Sequence, residues 1–220
     1  LVRLPPPASH GAIAVELASG LASARRRLRD PEGEREARLL QRRLLGLLPI
    51  GDSWERLSAV SRRVAWLDIS AGRVDEGLLT LVGLLADVAG VESDRMFDGA
   101  ALSLAIGVNN VIAGPAVTRA IEELLPMARS GPERAAREGS LTAVLAALHL
   151  SAGDVEVASI YARRSEVLCD RAPSPPLVCR WVGAMVRLAA GDLDEALEGY
   201  ESLVRSLPTA SPPELRCEVL

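Results

Sequence analysis

The sequence predicts an all-α chain, an α-solenoid of antiparallel helix pairs, and three observations predict it. A small residue followed by glycine recurs four times at near-constant spacing, the intervening stretches show helical periodicity, and helix-start signals repeat along the chain. The recurrences are "SAGRVDEG" at Gly72, "IAGPAVTRA" at Gly114, "SAGDVEVA" at Gly153 and "AAGDLDEA" at Gly191, with steps of 42, 39 and 38 residues. Each unit reads as a first helix, a tight turn at the glycine and a second helix. Glycine suits the turn because it leaves a helix through positive φ without steric cost. Early in each second helix stands a small residue, Gly77, Ala120, Ala158 or Ala196, where two helices must approach closely. Period-2 alternation is nowhere sustained, so little or no sheet is expected.

In chain order, residues 1–51 come first. "HGAIAVELASGLASARRRLRD" and "EGEREARLLQRRLLGLL" form a helical pair divided at Asp30-Pro31, and their match to the later units is too poor to make them a repeat. This pair is expected to be an atypical cap or the tail of a preceding domain. Residues 52–208 hold four repeats. "DSWERLSAVSRRVAWLDIS" spaces Leu57, Val60, Val64 and Leu67 at three and four residues, with Asp52 as N-cap and Glu55 completing a capping box. "GDLDEALEGYESLVRSL" repeats that grammar with Asp192 and Glu195, followed by a stripe of Leu193, Ala196, Leu197, Tyr200, Leu203, Val204 and Leu207. Pro115, Pro132, Pro175 and Pro212 stand at or near first helical turns, where proline is tolerated. "SPPLVCRW" from Ser174 is echoed by "SPPELRCEVL" from Ser211, each serine an N-cap, so 209–220 read as the start of a further repeat. That cut-short repeat, with Leu1 in place of Met, predicts a segment of a longer protein.

At 220 residues, 49% apolar and with a net charge of −4, the composition fits a soluble globular chain and excludes disorder. All 25 basic residues are arginine. Residues 1–63 carry 12 arginines against 7 acids and the remainder 13 against 22, which makes the basic end a contact surface, with nucleic acid the weaker option. Cys169, Cys179 and Cys217 show no C-x-x-C spacing and follow no signal peptide, so free thiols and a cytoplasmic location are expected. The charge-free run from Gly99 to Thr118 contains Asn109, Asn110 and a Gly114-Pro115 break, which argues against a membrane span.

Catalytic chemistry finds no foothold in the sequence. His10 and His149 pair with no cysteine or second histidine at metal spacing, and no phosphate loop, dinucleotide fingerprint or nucleophile elbow occurs. Asp75-Glu76 and Glu122-Glu123 read as solvated helix faces, and Cys179 and Cys217 as buried packing residues. "SARRRLRD" lacks interleaved aromatics and reads as a solvated or interdomain face. The chain is therefore expected to be non-enzymatic, with no metal and no cofactor.

The stretch "RLAAGDLDEALEGYESLVRSLP" resembles the second half of a tetratricopeptide repeat, with Gly191, Asp192, Ala196, Tyr200 and Pro208 in register. Gly153, Asp154 and Ala158 keep the turn and the small residue. Gly72 and Gly77 keep less, Gly114 needs a one-residue insertion, and Leu81 and Ala162 stand where the family has an aromatic. The period also exceeds the roughly 34 residues usual for that family. The resemblance covers about residues 53–208. Longer, degenerate units of this kind are similar to those of LuxR-type ATP-binding bacterial transcription regulators, where the repeats lie between a nucleotide-binding and a DNA-binding module. This second resemblance implies a binding or sensing scaffold that meets DNA only through a domain outside the segment.

The first helices are unusually free of charge: Ala100–Ala113 has none, Ser140–Gly153 none beyond His149, and Leu177–Ala190 only Arg180 and Arg187. In tetratricopeptide arrays the first helices line the concave surface. The resemblance therefore implies that Arg62 and Trp66, then Leu104, Val108 and Val111, then Ala143 and Ala147, then Trp181, Met185 and Leu188 face inward. Asn109, Asn110 and His149 would be the inward polar groups. Two readings remain open at this level: helices buried on all sides, or an apolar groove taking a protein or peptide partner. The alternative function is an effector domain enclosing a small apolar molecule in a closed pocket. Neighbouring domains of the same chain and self-association are the other expected contacts, and no membrane is expected.

Overall fold

The computed structural model describes residues 7–91, 93–128, 134–172 and 175–206. All the regular structure among them is helical, and the helices pack in sequential pairs, consistent with a helical-repeat array. The chain divides into two compact units, Leu1–Leu84 and Leu85–Leu220.

The first unit contains α1 (Pro7–Arg27), α2 (Pro31–Leu45), α3 (Ile50–Ser70) and most of α4 (Val74–Ala89). Val15, Ala18 and Ala22 form the buried stripe of α1, which packs on α2, and α2 in turn packs on α3. Leu57, Val60, Val64 and Leu67 are all buried along α3, as their spacing predicts. At Gly77 a methyl group would lie 2.7 Å from the Ala65 carbonyl oxygen, so only glycine permits this approach of α4 to α3. The helix start differs from expectation. α3 begins at Ile50 with Pro49 at the cap position, so Asp52 lies inside the first turn and is not the N-cap.

Arginine and carboxylate side chains join the helices of this unit. Glu34 of α2, 2% exposed, accepts two hydrogen bonds from the Arg63 guanidinium of α3, at 2.9 and 2.7 Å. Those bonds hold the Glu34 carboxyl below its ordinary value, against the opposing effect of burial. Asp68, also buried, accepts from both Arg35 and Arg73, and Arg73 reaches Glu32 at 2.9 Å. Arg35 and Arg63 are thus engaged within the unit, which reduces the basic surface expected from residues 1–63.

The turns explain why the helices pair. At Gly72, Gly153 and Gly191, φ is +81°, +82° and +90°. In each case the glycine N–H bonds three residues back and the next N–H five residues back: Arg73 to Asp68, Asp154 to His149, Asp192 to Arg187. This is the Schellman closure of a helix end. The same closure ends α1, where Arg29 takes φ +56° and Asp30 N–H reaches the Arg25 carbonyl. Asp30 then caps α2 by accepting from Gly33 N–H at 2.9 Å. The pair α1–α2 therefore shares the turn of the later pairs, although arginine hides it from a glycine search. Gly114 is different. It ends a longer connection, 110–114, that leaves α5 through Asn110 in right-handed conformation, with its side chain donating to the Ile106 carbonyl at 2.8 Å.

The second unit contains the end of α4, then α5 (Asp94–Asn109), α6 (Pro115–Ala128), α7 (Arg134–Ser151), α8 (Val155–Cys169), α9 (Leu177–Ala190) and α10 (Leu193–Ser206). α7 is its axis: every residue from Ala136 to Leu148 is buried, and α5, α6, α8 and α9 all pack against it. α5 also touches α9 directly. There Asp98 of α5 accepts from the N–H groups of Leu177 and Val178, at 2.9 and 3.2 Å, and so caps α9 from another helix. Desolvation raises the Asp98 carboxyl above its ordinary value, opposed by these two amide donors. Ser174, expected to cap α9, lies outside the described residues, as do Pro132, Pro208, Ser211 and Pro212; Pro176 occupies the cap position of α9.

One cysteine expectation is overturned. Cys169 at the end of α8 and Cys179 in the first turn of α9 are joined by a disulfide, with Cα atoms 6.8 Å apart and both residues 2% exposed. The two are ten residues apart in sequence, and the packing of α9 on α8 brings their side chains together. No helix among the described residues is long and apolar enough to cross a membrane.

Left-handed conformation costs a non-glycine residue roughly 1–2 kcal/mol, and glycine's extra chain entropy gives back roughly 0.5–1 kcal/mol of any gain. Arg29→Gly should therefore stabilise the protein by up to about 1 kcal/mol in denaturant titration; destabilisation would show that the arginine side chain matters more than its backbone. A Glu34 carboxyl held below its unfolded value contributes stability above the ordinary carboxylate range and loses it as pH falls through the lowered value. Glu34→Gln should cost about 2 kcal/mol at neutral pH and flatten that acid limb, which chemical unfolding at a series of pH values reads directly.

Candidate functional site

The first helices of the second unit are core. Leu104 and Val108 are 0% exposed, Ala143 0%, Ala147 1%, Trp181 4% and Met185 8%. The structure therefore departs from the open-groove placement for these residues, and the reason is the packing around α7. With α5 and α9 in contact and α7 enclosed by four helices, Leu104, Val108, Trp181 and Met185 are buried among the helices of this unit. The absence of charge in these segments reflects burial on every side.

The remaining expected positions divide by environment. Asn109, the last residue of α5, is exposed, and Val111 just beyond it is half-buried. Leu188 near the end of α9 is 49% exposed. His149, half-buried at the end of α7, stacks on Tyr161 of α8 with ring centroids 5.2 Å apart and planes 9° from parallel. Its Nδ1 stands 4.0 Å from an Asp154 oxygen. This arrangement makes His149 a packing residue between α7 and α8 near their turn.

Arg62 and Trp66 are the expected positions that form a coherent outward face. α3 buries Leu57, Val60, Ser61, Val64, Ala65, Leu67 and Asp68 on one side, and the stripe Glu55, Ala59, Arg62, Trp66 and Ser70 lies exposed on the other. These five recur at steps of three and four residues, so they line one side of the helix along its length. Trp66 is 51% exposed. Ala59 stands two turns before it and leaves a shallow stretch of helix surface between Glu55 and Arg62. The face is fixed from behind: Arg63, adjacent to Arg62, is tied to Glu34, and Asp68, two residues after Trp66, is tied to Arg35 and Arg73. The sequence assigns Glu55 only to a capping box and gives Ala59 no role, although spacings of seven and three residues from Arg62 place both beside it on the helix.

Among the described residues no group of three or more histidine, cysteine, aspartate or glutamate side chains could hold a metal ion. The α3 face offers one cation, one carboxylate and a large aromatic, which suit recognition by contact.

Opposite outcomes are expected for two substitutions to glutamate. Val108→Glu places a charge in the core of the second unit at a cost of several kcal/mol, and should abolish cooperative unfolding of the 220-residue chain. Arg62→Glu on the exposed face should shift stability by no more than about 0.5 kcal/mol. Circular dichroism melts of both variants make the comparison, and a folded Val108→Glu protein would restore the groove.

No protein-family model, curated protein or solved structure matches the chain. What stands is an all-helical chain whose helices pack in sequential pairs, with no family assigned to it.

Proposed function

We propose that the chain is a non-enzymatic helical-repeat scaffold that binds a protein partner across the exposed face of α3, with Trp66 as the apolar anchor and Arg62 as the polar one. The observation that carries this reading is Trp66 itself, half exposed on a helix whose opposite face is fully packed. A tryptophan left in water forgoes the favourable burial of a large aromatic surface, and tryptophan and arginine are the side chains most enriched among energetically dominant contacts. The partner that fits is an amphipathic helix or short apolar peptide that covers the indole, with a carboxylate placed to meet Arg62. The shared Schellman turns at Arg29, Gly72, Gly153 and Gly191 are consistent with a helical-repeat array, and the resemblance of residues 53–208 to tetratricopeptide repeats suggests a role as the repeat segment of a regulator.

The test is a peptide-display selection against the 220-residue chain, followed by affinity measurement on the selected sequences. Trp66→Ala and Arg62→Glu should each weaken binding by roughly tenfold or more, with melting temperature unchanged. Peptides that bind both variants as well as the wild type, or a selection that enriches none, would overturn the assignment of this face.

A further inference from the structure

The buried face of α2 consists of Glu34, Ala37, Gln41 and Leu45, so half of it is polar. Both polar side chains hold arginines. Glu34 accepts from Nε and Nη2 of Arg63, and Gln41, 3% exposed, accepts from Nη1 of Arg38 at 2.8 Å. Burying a carboxylate and an amide is costly, and apolar residues in such places commonly hold helices together as well or better. Apolar residues cannot, however, orient a guanidinium group. Nη1 of Arg63 donates to no described residue, and the side chain stays 37% exposed, so Glu34 holds a fixed donor edge toward solvent.

The charge at this point is unbalanced. The charge of Arg26, at the end of α1, bears on both Glu34 and Arg38, so three successive helices bring Arg26, Arg38 and Arg63 to one carboxylate. No other carboxylate among the described residues bears on Arg38 or Arg63. Burial pushes the Arg38 guanidinium below its ordinary value; Glu34 opposes that shift, and Arg63 and Arg26 add to it. Its Nε is buried 3.9 Å from a Glu34 oxygen and makes no hydrogen bond. The neighbouring network of the same unit differs. Around Asp68, Arg35 and Arg73 face three carboxylates, because Glu76 lies 3.3 Å from Arg35 and Glu32 2.9 Å from Arg73. Two arginines against three acids call for no further anion, whereas three arginines against one acid leave two positive charges unmatched.

We propose that Arg26, Arg38 and Arg63 form a binding site for a dianionic phosphate, free or carried as a monoester on another molecule. Two unmatched charges in one place fit a group that itself carries close to two at neutral pH, and its several acceptor oxygens suit donors arriving from three helices. Arg63 supplies its free Nη1 edge, Arg26 an exposed guanidinium, and Arg38, only 17% exposed, charge from within. Glu34 and Gln41 are positioning residues that hold the arginines. A nucleic-acid backbone fits less well, because each phosphodiester carries one charge and the adjoining Arg25 is tied to Asp30 at 2.9 Å. None of the three arginines belongs to the partner face of α3, so the two sites are tested separately.

The experiment is calorimetric titration of the full 220-residue chain with inorganic phosphate and with capped phosphoserine, at constant ionic strength and at a pH where both are dianions. Phosphate should saturate a single site per chain, and Trp66→Ala should bind it as the wild type does. Arg26→Gln removes an exposed side chain and should weaken binding by roughly fivefold or more, while Arg27→Gln, one residue away, leaves it unchanged. Glu34→Gln adds to the surplus charge yet releases Arg63, so it should weaken binding too. Circular dichroism verifies that each variant is folded; should Glu34→Gln fail to fold, the contrast of Arg26 with Arg27 still decides. The tighter of the two probes identifies the source, the free ion or a phosphorylated partner. No saturable binding of either probe overturns the proposal. So does equal loss in Arg26→Gln and Arg27→Gln, which marks a diffuse basic face, or tighter binding by Glu34→Gln, which marks charge without a built site. A short DNA duplex that displaces phosphate and is itself insensitive to Glu34→Gln overturns it in favour of a nucleic-acid backbone.

Discussion

The second unit depends on burying one helix completely. α7 offers no face to water between Ala136 and Leu148, and two requirements follow. The helices around it must come close on every side, which small residues permit. At Gly139 the Cys169 sulfur lies 2.5 Å from where a β-carbon would stand, and Ala143, Ala146 and Ala147 continue the small surface. The polar groups drawn into the core also need partners, which the Ser140 hydroxyl lacks and the others find in protein. Thr142 donates to the Glu138 carbonyl at 2.6 Å, Ser165 of α8 donates to the Gly139 carbonyl at 2.9 Å, and Glu138 pairs with Arg164. Packing around α7 also brings the first helices α5 and α9 into contact, and there the exposed ends of helical backbone need partners from other helices. Arg137 of α7 donates to the carbonyls of Ala89 and Val91 at 2.8 and 2.6 Å and lies over the Phe97 ring, closing the end of α4. Asp98 closes the start of α9.

The first unit joins its helices by a different interaction. Glu34 and Asp68 are almost fully buried carboxylates, each facing arginine side chains that remain partly exposed. Partly exposed guanidinium groups keep some hydration while meeting a buried acid, which lowers the desolvation cost that makes fully buried ion pairs poor stabilisers. Arginine suits this role because its planar group can give two parallel hydrogen bonds, as Arg63 does to Glu34. The same pairing fixes the rotation of α3 about its own axis. With Arg63 held toward α2 and Asp68 toward Arg35, the residues between and beside them, Arg62 and Trp66, point outward. Burial and exposure on α3 are thus set by the ion pairs as much as by its apolar stripe.

What the sequence makes legible here are features whose cause is local. Glycine turns at 72, 153 and 191 follow from steric rules that act over a few residues and take positive φ as expected, and of the four small residues Gly77 meets α3 closely, Ala158 and Ala196 are buried, and Ala120 is only half-buried. The turn at Arg29 obeys the same hydrogen bonding, yet a non-glycine residue in left-handed conformation leaves no compositional trace. Caps from distant helices leave none either: Asp98 lies 79 residues from the Leu177 it caps. The disulfide depends on how α9 lies against α8, information that the spacing of Cys169 and Cys179 does not contain. The site was ambiguous for a related reason. A helix buried on all sides and a helix lining an apolar groove are both uncharged, so the composition of α5, α7 and α9 could not separate them, and only the contact of α5 with α9 does.

That ambiguity has a counterpart in α3, where reading a site from sequence is more secure. An amphipathic helix divides its residues into a packed face and a solvated one, and the solvated face of a stable protein is ordinarily polar. Trp66 breaks that rule on a helix that otherwise follows it, with Glu55, Arg62 and Ser70 as its exposed neighbours. Packing cannot account for it, because Val64, Ala65 and Leu67 already fill the inward positions around it. By contrast, Trp181 and Met185, which look equally suited to a partner from their chemistry, are accounted for by the core they fill. An aromatic residue becomes informative about recognition when the fold has no use for it where it stands, and by that criterion Trp66 carries more functional weight than the uncharged stretches of α5, α7 and α9.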